Sequence, residues 1–204
     1  METLSLLGVA LGFATLSGIN LYLTTFLAGL AVRFNWIDLA DKYESLGILA
    51  NPWIICVAGA LFLLEFFADK IPWIDSSWDA VHTFIRPIGG TLLALAALGE
   101  MDPAVSVIAG LLSGGTTLVT HATKAGSRLL INMSPEPVSN AVASVGEDGL
   151  VLGGLGLMAF APAVAFFVFL AIIILAIWIL RKTWGSIRAG LATLRQRKTK
   201  NSAA

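Results

Sequence analysis

The 204-residue chain is 57% hydrophobic and only 13% charged, with a formal net charge of zero and a mean hydropathy of +0.84. Soluble domains carry about a quarter charged residues, so this composition excludes a water-soluble globule and makes lipid the solvent for much of the apolar surface. One cysteine, Cys56, excludes an intrachain disulfide framework and a cysteine metal cluster.

The N-terminal Met1-Glu2-Thr3 lacks the basic region of a signal peptide, and the uncharged run over 4–32 reads as a retained first span. As a straight helix it would be about 43 Å long, more than a crossing of roughly 30 Å needs. A break is expected at Ser17-Gly18-Ile19-Asn20, where a flexible residue meets side chains that compete with the backbone. Over 34–49, Trp36, Leu39, Ala40, Tyr43 and Leu46 fall at helical spacing opposite Asp38, Asp41, Lys42 and Glu44, which predicts an amphipathic helix at the interface. The second span covers 52–68 and contains one acid, Glu65. Pro72 breaks the chain, and Asp75 is placed to cap a second amphipathic segment over 76–85. The third, 88–99, is short enough to be a brief crossing or half of a re-entrant hairpin. The fourth runs from Ala104 to at least His121, and the loop behind it carries Ser134-Pro135-Glu136-Pro137. The last, 150–180, is overlong, and Pro162 predicts a kink inside it. Three GxxxG pairs, Gly8/Gly12, Gly110/Gly114 and Gly149/Gly153, offer close helix packing.

No acid follows Asp148, whereas Arg181, Lys182, Arg188, Arg195, Arg197, Lys198 and Lys200 follow the last span. The positive-inside rule places this 181–204 tail in the cytoplasm, where it would also attract anionic lipid. Nucleic acid is not an expected partner; self-association into a homo-oligomer is a further expectation. Five spans put the N terminus and both charged loops, 69–86 and 123–148, on the outer side.

An internal correspondence runs through the chain. Ser17-Gly18, Thr24 and Ala28-Gly29 match Ser113-Gly114, Thr120 and Ala125-Gly126 in order. One transmembrane domain over 1–180 is expected, with repeat one at 4–86, a linking short helix at 88–99 and repeat two at 104–190. An odd crossing between the halves inverts one against the other, the arrangement secondary transporters use to build a midplane site from interrupted helices.

Ser17, Gly18, Asn20 and Thr24 in the first span, with Ser113, Gly114, Thr116, Thr117 and His121 in the fourth, form a polar stripe that either lines a substrate site or hydrogen-bonds helix to helix. Glu65 lies inside a span, and Asp69, four residues on, shares its face. With Lys70, Asp75, Asp79 and Arg86 they make a charge cluster suited to proton or cation coupling, or to ion pairing that orients the helix. His121, Lys124 and Arg128, at i, i+3 and i+7, can hold a phosphate or carboxylate, or pair with Glu65 and Asp69. His82 reads as a solvated surface residue. The hydrolase, metalloprotease and nucleotide-binding motifs are missing from the sequence, so no enzyme, catalytic residue, metal or cofactor is expected.

The stretch 65–79 (EFFADKIPWIDSSWD), the TFIRP at 83–87, Ser17-Gly18-Ile19-Asn20 and the KAGSR at 124–128 together resemble the signature of domain of unknown function family 4126, a group of uncharacterised bacterial polytopic membrane proteins. The resemblance implies a bacterial inner-membrane location and brings no activity. The expectation is an all-α integral membrane protein of about five transmembrane helices with interfacial amphipathic helices. Its expected role is a small transporter or channel-like protein for a small solute, ion or lipid headgroup. The alternatives are a membrane scaffold or assembly protein and a lipid-modifying membrane enzyme.

Overall fold

The computed structural model describes residues 2–36, 44–132 and 137–201, with side chains through Gly185. Of the interfacial helix expected over 34–49, residues 37–43 lie outside the described residues, as do 133–136 and 202–204, and 44–49 form a 3-10 helix that buries Leu46 and Leu49. The elements in order are α1 (Glu2–Arg33), a 3-10 helix (Glu44–Ala50), α2 (Pro52–Ala68), α3 (Pro72–Leu98), α4 (Pro103–Asn132), α5 (Pro137–Phe160) and α6 (Pro162–Asn201). Five of the helices begin on a proline, whose fixed φ and missing N–H suit the first turn. At α2 the Asn51 side chain also accepts the Trp53 N–H at 2.9 Å. Gly99, at φ +71°, ends α3 in a conformation that a side chain would strain.

Among the described residues, five helices are long and apolar enough to cross a membrane: α1, α3, α4, α5 and the Pro162–Gly185 part of α6. The 3-10 helix and α2 form a broken pair bent by 66°. The chain is therefore an all-α multi-pass membrane protein. α1 is two helices meeting at Asn20, whose backbone is extended (φ −150°, ψ 97°). The chain doubles back there. Gly12 in the first half packs on Met158, and Ala28 and Ala31 in the second half share a cavity wall with the same Met158. A straight helix would hold Gly12 and Ala28 about 24 Å apart. The expected break is in place, and it makes a re-entrant hairpin rather than a bent crossing.

Several expected boundaries move. Residues 88–99 are not a separate linking helix but the second half of α3, which runs unbroken through Pro87. The charged half of α3 is not interfacial, because its polar face is buried against polar faces of other helices. The expected loop after His121 is α4 continuing to Asn132, followed by α5. The overlong run 150–180 is the end of α5 and the start of α6, and Pro162 begins a helix instead of kinking one. α4 is continuous through Ser113 and Gly114, so the interrupted-helix correspondence behind the inverted repeat is absent. The extra crossing by α5 also changes sides. Thr183 of α6 packs on Gly126, and Leu180, Thr183 and Trp184 share a cavity wall with Asp79 and Arg128. The charged segments thus lie at the same end of the bundle as the end of the α6 span, not opposite the basic tail.

Around α1 the bundle packs an apolar core that includes Val9, Phe13, Leu16, Leu93 and Phe169, whereas α4 buries a polar face. The buried residues of α4 are Ser113, Thr117, Thr120, His121, Lys124 and Arg128, all polar, while Val107, Ile108, Leu111 and Leu112 face outward. This inverts the pattern of a water-soluble helix and suits a lipid surround.

Candidate functional site

The hairpin tip is the centre of the site. Asn20 acts as N-cap of the second half-helix: its side-chain oxygen accepts the Leu23 N–H at 2.9 Å. The break leaves carbonyls of the first half-helix without helical partners, and buried cations take them. Arg86 Nη1 donates to the Gly18 carbonyl at 3.0 Å, and Lys124 Nζ to that of Ile19 at 3.1 Å. Cations suit this position, because a helix C-terminus carries partial negative charge. Asn20 Nδ2 donates to Asp148 Oδ1 at 3.2 Å, tying the tip to α5.

Around the tip, α3 presents Asp75, Asp79, His82 and Arg86 along one face, all buried. Arg86 donates to Glu65 at 2.6 Å and lies 3.6 Å from Asp79. Lys124 lies 3.3 Å from Glu65, 3.4 Å from Glu147 and 3.8 Å from Asp69. Arg128 forks onto Glu147, Nε to Oε1 at 3.0 Å and Nη2 to Oε2 at 2.8 Å, and its Nη2 also reaches Asp69 at 3.2 Å. Asn140 of α5 accepts from Arg128 and donates to the Asp69 carbonyl at 2.7 Å.

Two histidines have their tautomers set by geometry. Arg86 Nη1, which can only donate, sits 2.9 Å from His121 Nδ1, so the ring proton is on Nε2 and donates to the Asp79 carbonyl at 3.0 Å. His82 Nδ1–H donates to the Trp78 carbonyl at 2.7 Å, and its Nε2 accepts from the Tyr22 hydroxyl at 2.8 Å. His82 is buried and stacked on Trp78, not solvated as expected.

Acids outnumber bases. Glu65, Asp69, Asp75, Asp79, Glu147 and Asp148 face Arg86, Lys124, Arg128 and Lys70, which is six carboxyls against four cations. Glu65 Oε2, Asp69 Oδ1 and Asp79 Oδ2 are buried without a hydrogen-bond donor among the described residues. A buried surplus of carboxylate is costly unless it is neutralised. At Asp69, between α2 and α3, burial pushes the carboxyl up to about 7; Lys124 pulls it down and Glu65 raises it.

The basic stripe of α4 thus pairs with Glu65 and Asp69, one of its two expected roles. Lys70 donates to Ser144 at 2.8 Å, and Asp75 accepts from Asn132 at 2.7 Å. The hydroxyl stripe divides. Thr24 donates to the Asn20 carbonyl at 2.7 Å beside the cluster. Farther along α4, Thr117 donates to the Ala14 carbonyl at 2.8 Å, Gly114 faces Thr91 of α3, and Ser113 and Thr116 serve as backbone acceptors to Thr117 and Thr120. Ser17 is buried with its hydroxyl unpartnered. Sequence reasoning missed Tyr22, Asn140, Ser144, Glu147 and Asp148. The last four lie on a segment read as loop, although Asn140, Ser144, Glu147 and Val151 keep helical i, i+4, i+7, i+11 spacing.

A cleft of about 480 Å³ between α4, α5 and α6 reaches the cluster at Ile19, Lys124 and Glu147. Fold and site together define a multi-pass helical membrane protein with an ion-pair cluster buried against a re-entrant hairpin. Residues 7–182 match the family model described as Domain of unknown function (DUF4126), and the chain belongs to that family. No curated protein and no solved structure matches it.

Proposed function

We propose that the chain is a small bacterial inner-membrane carrier whose moving part is the α1 hairpin tip and whose latch is the charge cluster. The basic tail supports a cytoplasmic side for the α6 end of the bundle, and for the cluster with it. The observation that carries the reading is that the broken helix is held through the Gly18 and Ile19 carbonyls by two side-chain cations. Those cations answer to a surplus of carboxyls, so the grip on the tip depends on how many protons the cluster holds. Asp69 faces Lys124 and Arg128 from α4, Glu65 from α2, Asp75 from α3 and Glu147 from α5. Taking up a proton near neutral pH weakens its hold on Arg128 and on Lys124, the cation at the Ile19 carbonyl, and so loosens that arm of the latch. The cargo is a small solute, ion or lipid headgroup reaching the tip through the cleft.

A scaffold reading has its own support: Thr117 is bonded to α1, and Gly18 packs directly on Thr120. One experiment separates the two. With Cys56 replaced by serine and a cysteine at Ser17, the protein is placed in liposomes and a water-soluble thiol reagent is added at pH 8.5 and pH 5.5. The carrier reading expects labelling to rise severalfold at pH 5.5. Protection at both pH values, with a control cysteine at exposed Glu100 labelled, sinks the carrier and leaves the scaffold.

A further inference from the structure

The cleft beside the cluster has two different ends. Lys124 and Glu147 lie at one end, with Thr120, Thr123 and Ser127 also on the α4 side; the α5 and α6 walls beyond, including Leu157, Val168, Ile172 and Leu175, are apolar. Between Val168 and Ile179, both on this wall, α6 rises about 16 Å. Gly149 and Gly153 of α5 form part of the wall, and a Cβ built on either meets nothing within 4 Å. Glycine in a helix is about 1 kcal/mol less favourable than alanine, so these two keep open a space that no protein group fills. α5 touches α4 and α6 only sparsely. The slot therefore opens sideways, toward acyl chains rather than water.

We propose that this cleft binds a single-chain amphiphile with a protonated amine head, its chain lying along α6 and its head at Glu147. Charge complementarity selects the head. The cluster behind this end holds six carboxyls against four cations, and Glu147, the one acid on the cleft wall, is the most open acid of the ion-paired set, with its side chain 17% exposed against 5% or less for Glu65, Asp69 and Asp79. The Lys124 ammonium is already committed to the Ile19 carbonyl and to Glu65; Glu147 already takes the Arg128 fork on its two oxygens, but a carboxylate has about four lone-pair sites and can accept a further N–H. A carboxylate or phosphate head would add to the surplus of negative charge and be repelled. The proposal names the cargo class of the carrier reading and rests on it for the fate of the amphiphile; binding is tested separately.

The probe is dodecylamine carrying a diazirine near the chain end, added to the full-length protein in phosphatidylcholine nanodiscs, irradiated and mapped by peptide mass spectrometry. Label is expected on α5 and α6 between residues 149 and 179, displaced by unlabelled dodecylamine at a concentration at least tenfold below that needed with dodecanoate. Gly153→Leu, whose Cβ meets nothing within 4 Å, is expected to cut labelling at least tenfold at an unchanged melting temperature. Leu175→Trp, filling the slot from α6, gives the same readout if the first variant fails to fold. Label scattered over outward faces and unaffected by either variant overturns the site, and equal competition by dodecanoate overturns the head assignment. Labelling that persists while Ser17 stays protected at both pH values sinks the carrier but keeps the binding site. Loss of labelling with pH-dependent Ser17 access intact does the reverse.

Discussion

Arg86 tests whether the cluster holds the hairpin folded. Its side chain is wholly buried and donates to Glu65 at 2.6 Å, to the Gly18 carbonyl at 3.0 Å and to His121 Nδ1 at 2.9 Å. Arg86→Met keeps an unbranched stem and removes all three bonds. Removing one partner of a buried ion pair costs about 3–5 kcal/mol, because the other charge stays buried. Here Lys124, 3.3 Å from Glu65, offsets part of that loss. The Gly18 carbonyl, left without a donor, adds about 1–3 kcal/mol. The expected loss is about 4 kcal/mol, large against a net stability of about 5–15 kcal/mol. It is measured by denaturant unfolding in detergent micelles, followed by tryptophan fluorescence. The same measurement on Glu65→Gln and on the double variant completes a cycle. With the pair gone together, the double variant is expected to lose at least about 2 kcal/mol less than the sum of the singles. A loss below about 1 kcal/mol in Arg86→Met, or strict additivity in the cycle, refutes the latch.

Asn20→Ala removes the cap of the second half-helix and the bond to Asp148, and is expected to lower stability by about 1–2 kcal/mol; Asn20→Ser, which can still cap, should recover part of it in the same unfolding assay. Gly8 and Gly149 sit in two GxxxG pairs of different worth. A side chain at Gly8 runs into the backbone of Pro162 and Phe166, so Gly8→Leu should cost at least about 1–3 kcal/mol, whereas Gly149→Leu meets open space and should leave the unfolding midpoint nearly unchanged. Asp69 gives a pH test. Its carboxyl titrates near 7 when folded and near 3.8 when unfolded. The folded protein keeps a proton that the unfolded chain has lost, so this group lowers stability progressively as pH rises from about 4 to about 7. Asp69→Asn should flatten that slope in unfolding midpoints taken from pH 4 to 8, and an unchanged slope would show that another group sets it.

The sequence alone determined the solvent and the weak point of the first helix. An apolar run of that length, free of charge, must be helical in lipid because no water is there to satisfy its backbone. Ser17-Gly18-Ile19-Asn20 marked the break because those side chains compete for the same backbone groups. The spacing of His121, Lys124 and Arg128, against Glu65 and Asp69, disclosed matching faces of opposite charge. What tertiary structure decided is whether a helix break reverses the chain or merely bends it. Local residues free the Gly18 and Ile19 carbonyls, but Arg86 and Lys124, 68 and 105 residues away, set what they meet. Tertiary structure also decided the role of 137–160. Its charged first half looked like a loop because hydropathy averages over all faces of a segment. Once Asn140, Ser144 and Glu147 face Asp69, Lys124 and Arg128, those charges are neutralised inside the bundle and the helix can cross. That one added crossing moved the whole cluster to the side of the basic tail, since topology counts crossings: a helix hidden by its own polar face turns over the charged segments before it, while the α1 hairpin, which does not cross, keeps Gly8 beside Pro162 at the opposite end.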